Sequence, residues 1–111
     1  MENVIFIQKV KEDKKEEYVK FHKNCWPELL KAIEESGIKR QIIWLYGENI
    51  IIYMMAENFD HSISELSKKK VFKDWDAIMN LLLDEKQDYF GKGKITKLNQ
   101  IFNFEEQLYR K

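Results

Sequence analysis

The chain has 111 residues, 44% of them hydrophobic and 34% charged, and its 19 basic and 19 acidic side chains give no net charge. That length predicts a single domain over residues 1–111 with a sizeable core, while the balanced charge argues against nucleic-acid binding, which needs a basic surplus. No segment approaches the roughly 20 apolar residues of a membrane span, and no leader pattern opens the sequence. A lone Cys25 and two histidines leave little for a disulfide or a metal site, which is typical of a cytoplasmic protein.

The first third of the sequence predicts a strand followed by a helix. Val4–Val10 is a short run with the residue types of a strand. Asp13 is placed to cap a helix, with Glu16 as the partner of a capping box. The helix is predicted to reach about Glu35, where Gly37 suits a left-handed C-cap.

Pro27 interrupts this predicted helix. Proline lacks an N–H and clashes with the carbonyl of the residue one turn earlier, here Lys23, so the helix is expected to kink or restart between the two. The disturbance follows one turn after His22, which shares a helix face with Tyr18. An imidazole beside a phenol indicates either a site for a small polar ring or a core that holds one histidine, and the spacing alone leaves both open.

Two apolar strands are predicted in the middle of the chain, at Lys39–Tyr46 and Asn49–Glu57, with Gly47 in the hairpin turn between them. Both segments carry apolar side chains at successive positions, so both faces of their sheet are apolar. Two helices cover only one face, whereas a sheet with one face in water alternates between apolar and polar residues. We therefore expect a homodimer in which the uncovered faces of two sheets pack together.

The last third predicts a helical region, a loop and a final strand. Asp60 is placed to cap the helical region. Asp84–Lys94 is polar and contains two glycines, which predicts a loop whose Tyr89 either belongs to a lid or packs onto the body of the protein. Leu98–Phe104 is predicted to be the last strand. The resulting order, β-α-β-β-α-β, is the ferredoxin-like arrangement of an α+β protein.

The sequence resembles the L-rhamnose mutarotase family most clearly in one string, Tyr18-x-x-x-His22-x-x-x-Trp26-Pro27-Glu28-Leu29. The resemblance covers nearly the whole chain and includes Phe6–Val10, Gly37 and the Trp75-x-x-x-Met79 spacing. It implies a dimeric α+β barrel and a cofactor-independent isomerase, namely a mutarotase. Its partner would be a monosaccharide, a 6-deoxy-L-hexose such as L-rhamnose or L-fucose, whose α and β anomers it interconverts.

The resemblance also implies roles for five residues. His22 matches the proton-transferring histidine, Tyr18 matches a tyrosine that contacts the sugar, and Trp75 matches the first of two adjacent pocket tryptophans. Gln41 stands where the rhamnose enzyme has tyrosine, and Asp76 replaces the second tryptophan. Because both changes put a polar group in place of a ring, Gln41 and Asp76 are expected to accept hydrogen bonds from hydroxyls, and they leave the identity of the sugar open.

Mutarotation requires proton transfer near neutral pH, which suits an imidazole with a pKa of about 6.5 and needs no cofactor. Asp76 is a candidate second proton-transfer group, although a positioning role fits it better. Two other functions are compatible with this fold. One is a haem-degrading or quinone-type monooxygenase with His22 as a haem-iron ligand, and the other is a non-catalytic sugar-binding module.

Overall fold

A computed structural model describes residues 1–90 and 95–110. Within these ranges the sheet has the order β2-β3-β1-β4 with antiparallel neighbours. This topology confirms the predicted ferredoxin-like α+β class. In chain order the elements are β1 (Glu2–Val10), α1 (Lys15–Lys23), α2 (Pro27–Glu35), β2 (Ile38–Tyr46), β3 (Asn49–Ala56), α3 (Phe59–Ser67), α4 (Lys70–Leu82), β4 (Leu83–Glu85) and α5 (Phe104–Leu108).

Pro27 divides the first helical region into two helices, as predicted. Helix α1 ends at Lys23, and α2 begins with Pro27 as its first residue. A proline is favourable at this position because the N–H that it lacks has no partner inside the helix. The break places Trp26 immediately before α2, where its backbone carbonyl accepts hydrogen bonds from Leu29 and Leu30.

The helix caps agree only in part with the prediction. Asp13 lies inside a 3-10 turn, and α1 begins without a side-chain cap. Asn58 rather than Asp60 caps α3, because its side chain accepts a hydrogen bond from the His61 backbone N–H at 3.1 Å. Gly37 does follow α2 with a left-handed φ of 100°, as predicted.

The C-terminal part departs most from the prediction. The fourth strand is β4, which directly follows α4 and pairs with β1 at Lys9 and Val10. The predicted strand Leu98–Phe104 is wrong, since residues 95–103 have no regular secondary structure and Phe104 begins α5. The physical reason is that, among the described residues, this segment makes one backbone hydrogen bond to β1, from the Leu98 N–H to the Ile5 carbonyl at 2.7 Å, and one such bond does not build a strand ladder. Residues 91–94 of the predicted loop lie outside the described residues.

The helices cover one face of the sheet and leave the other uncovered in the single chain. Alternate residues of β1 and β3 are buried beneath the helices, with Phe6 and Ile50 fully inaccessible. The opposite face carries Ile5, Ile7 and Trp44, which are 37%, 37% and 51% exposed. Of the helices that the structure describes, none combines the length and the apolar character that crossing a membrane requires.

Candidate functional site

A cavity of about 800 Å³ lies between the helices and the inner face of β2. This volume falls in the usual range of small-molecule sites, roughly 300–1,000 Å³. The break before Pro27 and the packing of α1 against α4 bring residues from distant parts of the chain to its wall. All five residues singled out in the sequence line it: Tyr18 and His22 from α1, Gln41 from β2, and Trp75 and Asp76 from α4.

The backbone of α1 fixes the tautomer of His22. The Nδ1 atom lies 2.8 Å from the carbonyl oxygen of Tyr18. A carbonyl only accepts hydrogen bonds, so Nδ1 carries the proton, and in the neutral ring Nε2 carries the lone pair that can accept one. The Tyr18 ring lies against the imidazole with a centroid distance of 4.1 Å and an interplanar angle of 32°. The arrangement holds a proton acceptor in a fixed orientation at the cavity wall.

Burial sets the protonation states around this histidine. Desolvation lowers the pKa of His22 below its ordinary value, and the hydrogen bond to the Tyr18 carbonyl opposes that shift in part. The imidazole is therefore neutral near pH 7 and able to act as a base. Burial raises the pKa of the Tyr18 phenol, which keeps it protonated and able to donate a hydrogen bond. Burial also raises the pKa of the Cys25 thiol, which keeps it protonated and a poor nucleophile near pH 7.

Trp75 connects the cavity to the core. Its indole is 7% exposed and packs edge-on against His22 at 5.2 Å and against Trp26 at 5.1 Å between ring centroids. Phe21 packs against it in the same geometry at 5.9 Å. Trp75 thus belongs both to the core and to the cavity wall. Trp26 packs against the core, and the described part of the cavity wall does not include it. The contact with Trp75 also limits rotation of the His22 ring.

Two polar side chains stand out in the wall. The Gln41 Oε1 atom is buried and accepts no hydrogen bond from residues 1–90 or 95–110. An unsatisfied buried acceptor costs about 1–3 kcal/mol, which a donor from a bound molecule removes. Asp76 is 7% exposed, and its Oδ2 atom lies 3.0 Å from Lys86 Nζ. In a mostly apolar cavity, a few such groups orient a ligand that carries hydroxyls.

Two further contributors to the site, which the sequence did not predict, come from the segment after β4. Tyr89 packs edge-on against Phe6 and Phe72, as one of the two sequence alternatives predicted, yet it also lines the cavity. Burial, with the nearby Tyr18 phenol and Asp76 carboxylate, raises the pKa of Tyr89. Lys86 reaches Asp76 from the same segment. The only sequence signal was an aromatic residue in a polar stretch, and nothing distinguished Lys86 from other surface lysines.

The described parts of the chain contain no group of three or more His, Cys, Asp or Glu side chains placed to hold a metal ion. Fold and cavity together define a ferredoxin-like α+β protein with a cavity of small-molecule size, whose wall holds a neutral histidine beside a phenol, a carboxylate and an amide. Sequence comparison then identifies the family. Residues 3–104 match L-rhamnose mutarotase, and the chain belongs to that family of isomerases acting on carbohydrates.

Individual relatives agree with this assignment. The chain is 30% identical over 84 residues to an L-rhamnose mutarotase of Shouchella clausii. The aligned region covers 74% of this chain and 80% of that protein. The solved structure of an L-rhamnose mutarotase from Formosa agariphila gives a TM-score of 0.71 at 17% identity, covering 93% and 98% of the two chains. Tetracenomycin F2 cyclase from Streptomyces glaucescens gives 0.65 at 11% identity, covering 94% and 97%. Because both identities are low, the two structures show the shared fold alone.

Proposed function

We propose that this protein is a mutarotase that interconverts the α and β anomers of a 6-deoxy-L-hexose, L-rhamnose or a relative such as L-fucose. The observation that carries the proposal is the neutral His22, fixed by the Tyr18 carbonyl at 2.8 Å, in a cavity whose wall also holds hydroxyl acceptors. Membership of the L-rhamnose mutarotase family supports the reaction type. The cytoplasmic location stays a prediction from the sequence.

In the proposed mechanism, His22 Nε2 removes the proton from the anomeric O1. As the C1–O1 bond becomes a carbonyl, the bond between C1 and the ring oxygen breaks, and the ring oxygen takes up a proton. Because O1 and the ring oxygen are attached to the same carbon, the imidazolium of His22 reaches both and can deliver the proton it has accepted. Rotation about C1–C2 presents the other carbonyl face, and the reverse steps close the ring as the second anomer and return His22 to its neutral form.

The remaining groups bind and orient the sugar in this proposal. The Tyr18 phenol, kept protonated by burial, donates a hydrogen bond to a sugar oxygen. Trp75 offers an apolar face to ring C–H groups or to the methyl group of a 6-deoxy sugar. Gln41 and Asp76 accept hydrogen bonds from hydroxyls, which removes the cost of burying Gln41 Oε1 with no partner among residues 1–90 and 95–110.

The direct test is anomer exchange measured by saturation-transfer NMR. We expect catalytic amounts of the protein to speed exchange of L-rhamnose, L-fucose or both above the uncatalysed rate, and to speed that of other aldoses less. Spectra of each sugar without protein provide the background. If the protein binds one of these sugars yet leaves its exchange rate unchanged, it is a non-catalytic binding module and not a mutarotase. Failure with every aldose tested would remove the proposal.

The proposed base predicts a pH profile. Since burial lowers the pKa of His22 from 6.5, its neutral form dominates at and above neutrality. The catalysed rate, after subtraction of the background, should be flat from about pH 7 to 8 and should fall only as the pH drops below about 6.5, where the imidazole becomes protonated. Exchange rates measured at saturating sugar across this range check the prediction. A rate that rises on acidification would assign His22 the role of an acid.

We also propose that the active form is a homodimer joined through the uncovered sheet faces. That face carries neighbouring apolar side chains from three strands, including Ile5, Ile7, Ile42 and Trp44. A contiguous exposed apolar patch of this kind marks an interaction surface. A second copy of the same face covers it with self-complementary side chains about a two-fold axis.

A further inference from the structure

The ion pair between Lys86 and Asp76 differs from an ordinary surface pair. The Asp76 side chain is 10% exposed and that of Lys86 is 30% exposed, whereas the pair Lys70–Asp74 on the same helix is 86% and 53% exposed. Taking charges out of water costs free energy that their attraction often fails to recover. Stability is therefore a weak reason for placing this pair at the wall of a cavity.

The geometry leaves one carboxylate oxygen available. Lys86 Nζ holds Asp76 Oδ2 at 3.0 Å, while Oδ1 has no hydrogen-bond partner within the described ranges. Asp76 lines the cavity, and Lys86, as far as the structure describes the wall, does not. The lysine thus fixes the carboxylate without occupying the space that a ligand would fill.

The segment that carries Lys86 is itself anchored. The Gln87 backbone N–H donates to the buried Gln8 Oε1 atom at 2.9 Å, and Gln87 Nε2 donates to the Ile7 carbonyl at 3.1 Å. Tyr89 packs into the core two residues further on. Lys86 is consequently attached to β1 and held at a defined position, unlike a lysine on a free loop.

We propose that Lys86 is a positioning residue, which orients the Asp76 carboxylate so that Oδ1 accepts a hydrogen bond from one hydroxyl of the sugar. The pair then selects sugars that carry this hydroxyl over analogues that lack it. A hydrogen bond to an ionised acceptor is stronger than one between neutral groups. An analogue without the hydroxyl leaves the carboxylate oxygen desolvated and unpaired, which is the basis of strong discrimination. The identity of the ligand as a sugar rests on the proposed function.

The test compares Kd values for methyl glycosides of L-rhamnose and L-fucose and for their monodeoxy analogues at C2, C3 and C4. Methyl glycosides cannot mutarotate, so binding is measured apart from catalysis, by tryptophan fluorescence or calorimetry. For the fully hydroxylated glycoside, Lys86→Met and Asp76→Asn should each raise the Kd about tenfold. Lys86→Arg, which keeps the positive charge, should retain most of the wild-type affinity. For one monodeoxy analogue, both variants should bind as the wild type does. Lys70→Met, which removes the exposed pair on α4, is the matched control and should change no Kd.

Two results would overturn the inference. If Lys86→Met weakens the binding of every ligand by the same factor, including all the deoxy analogues, Lys86 has a general structural role. If it lowers the unfolding temperature and leaves every Kd unchanged, the pair serves the fold alone. The lysine variants retain the Asp76 side chain, so the comparison survives if Asp76→Asn does not fold. If the protein speeds anomer exchange but Lys86→Met does not change the preference for the full glycoside over any deoxy analogue, this inference alone is refuted. If Lys86→Met changes that preference but the protein does not speed anomer exchange, the proposed mutarotase alone is refuted.

Discussion

Replacing His22 with alanine is expected to abolish catalysed anomer exchange without unfolding the protein. General acid–base groups contribute roughly 10²- to 10⁴-fold to a rate, and in the proposed mechanism His22 carries the proton in both directions. Its Nδ1 bond to the Tyr18 carbonyl fixes one tautomer, and its contact with Trp75 limits rotation of the ring. His22→Gln, which fills more of the space, should be equally inactive. Saturation-transfer NMR gives the rates, and circular dichroism checks the fold.

The second histidine of the chain supplies the matched control. His61 is exposed on α3, and the hydrogen bond that it makes to Asn58 comes from its backbone N–H, which alanine retains. His61→Ala should therefore exchange anomers at the wild-type rate. If His22→Ala and His22→Gln also keep the wild-type rate, the base lies elsewhere in the cavity. The mechanism would then be wrong, although the membership of the family would stand.

The parts of the fold that the sequence predicted well depend on strong local signals. Pro27 cannot continue a helix, and the chain starts a new one at that residue. Gly37 has the positive φ expected of it, and a Cβ atom there would lie 2.9 Å from Ser62 Oγ. The strands β2 and β3 are long and apolar, so their existence and their hairpin followed directly from composition.

The errors lie where local signals were weak or duplicated. Strand β4 has only three residues, Leu83–Glu85, which is too short to show a period. The segment 98–104 had the composition of a strand. Only the tertiary structure shows that β4 pairs with β1, whereas within the described residues the later segment meets β1 through the Leu98 N–H bond to the Ile5 carbonyl. Asn58 and Asp60 are both good caps, and the choice between them depends on where the chain leaves β3.

The candidate site likewise combines residues that the sequence indicated and features that only the tertiary structure shows. Helical spacing placed Tyr18 and His22 on one face, and the family resemblance added Gln41, Trp75 and Asp76, which the structure brings to the same cavity. The tautomer of His22 and the burial of Gln41 Oε1 without a partner in the described part of the chain are properties of three-dimensional geometry. The positions of Lys86 and Tyr89 depend on how an irregular segment attaches to β1, so no periodicity marks them.

Replacing Ile7 with glutamate is expected to convert the proposed homodimer into monomers. Ile7 lies on the central strand β1 opposite Ile51, on the sheet face that the helices leave uncovered. In the dimer a glutamate at this position would place an unpaired charge in an apolar interface, which costs several kcal/mol or forces the interface open. In the monomer the same side chain would face water at little cost. Light scattering coupled to size-exclusion chromatography at micromolar concentration measures the mass.

A second apolar-to-charged change separates loss of the interface from a general effect of added charge. Leu81 on α4 is 67% exposed, and no residue of α4 belongs to the uncovered sheet face, so Leu81→Glu should leave the protein dimeric. A wild type that is monomeric at micromolar concentration would contradict the dimer outright. A dimer that survives Ile7→Glu would show that the copies associate through another surface.

Since the cavity lies on the helix side of the sheet, we expect monomeric Ile7→Glu to retain sugar binding. Binding measured on this variant tests whether one chain completes the site.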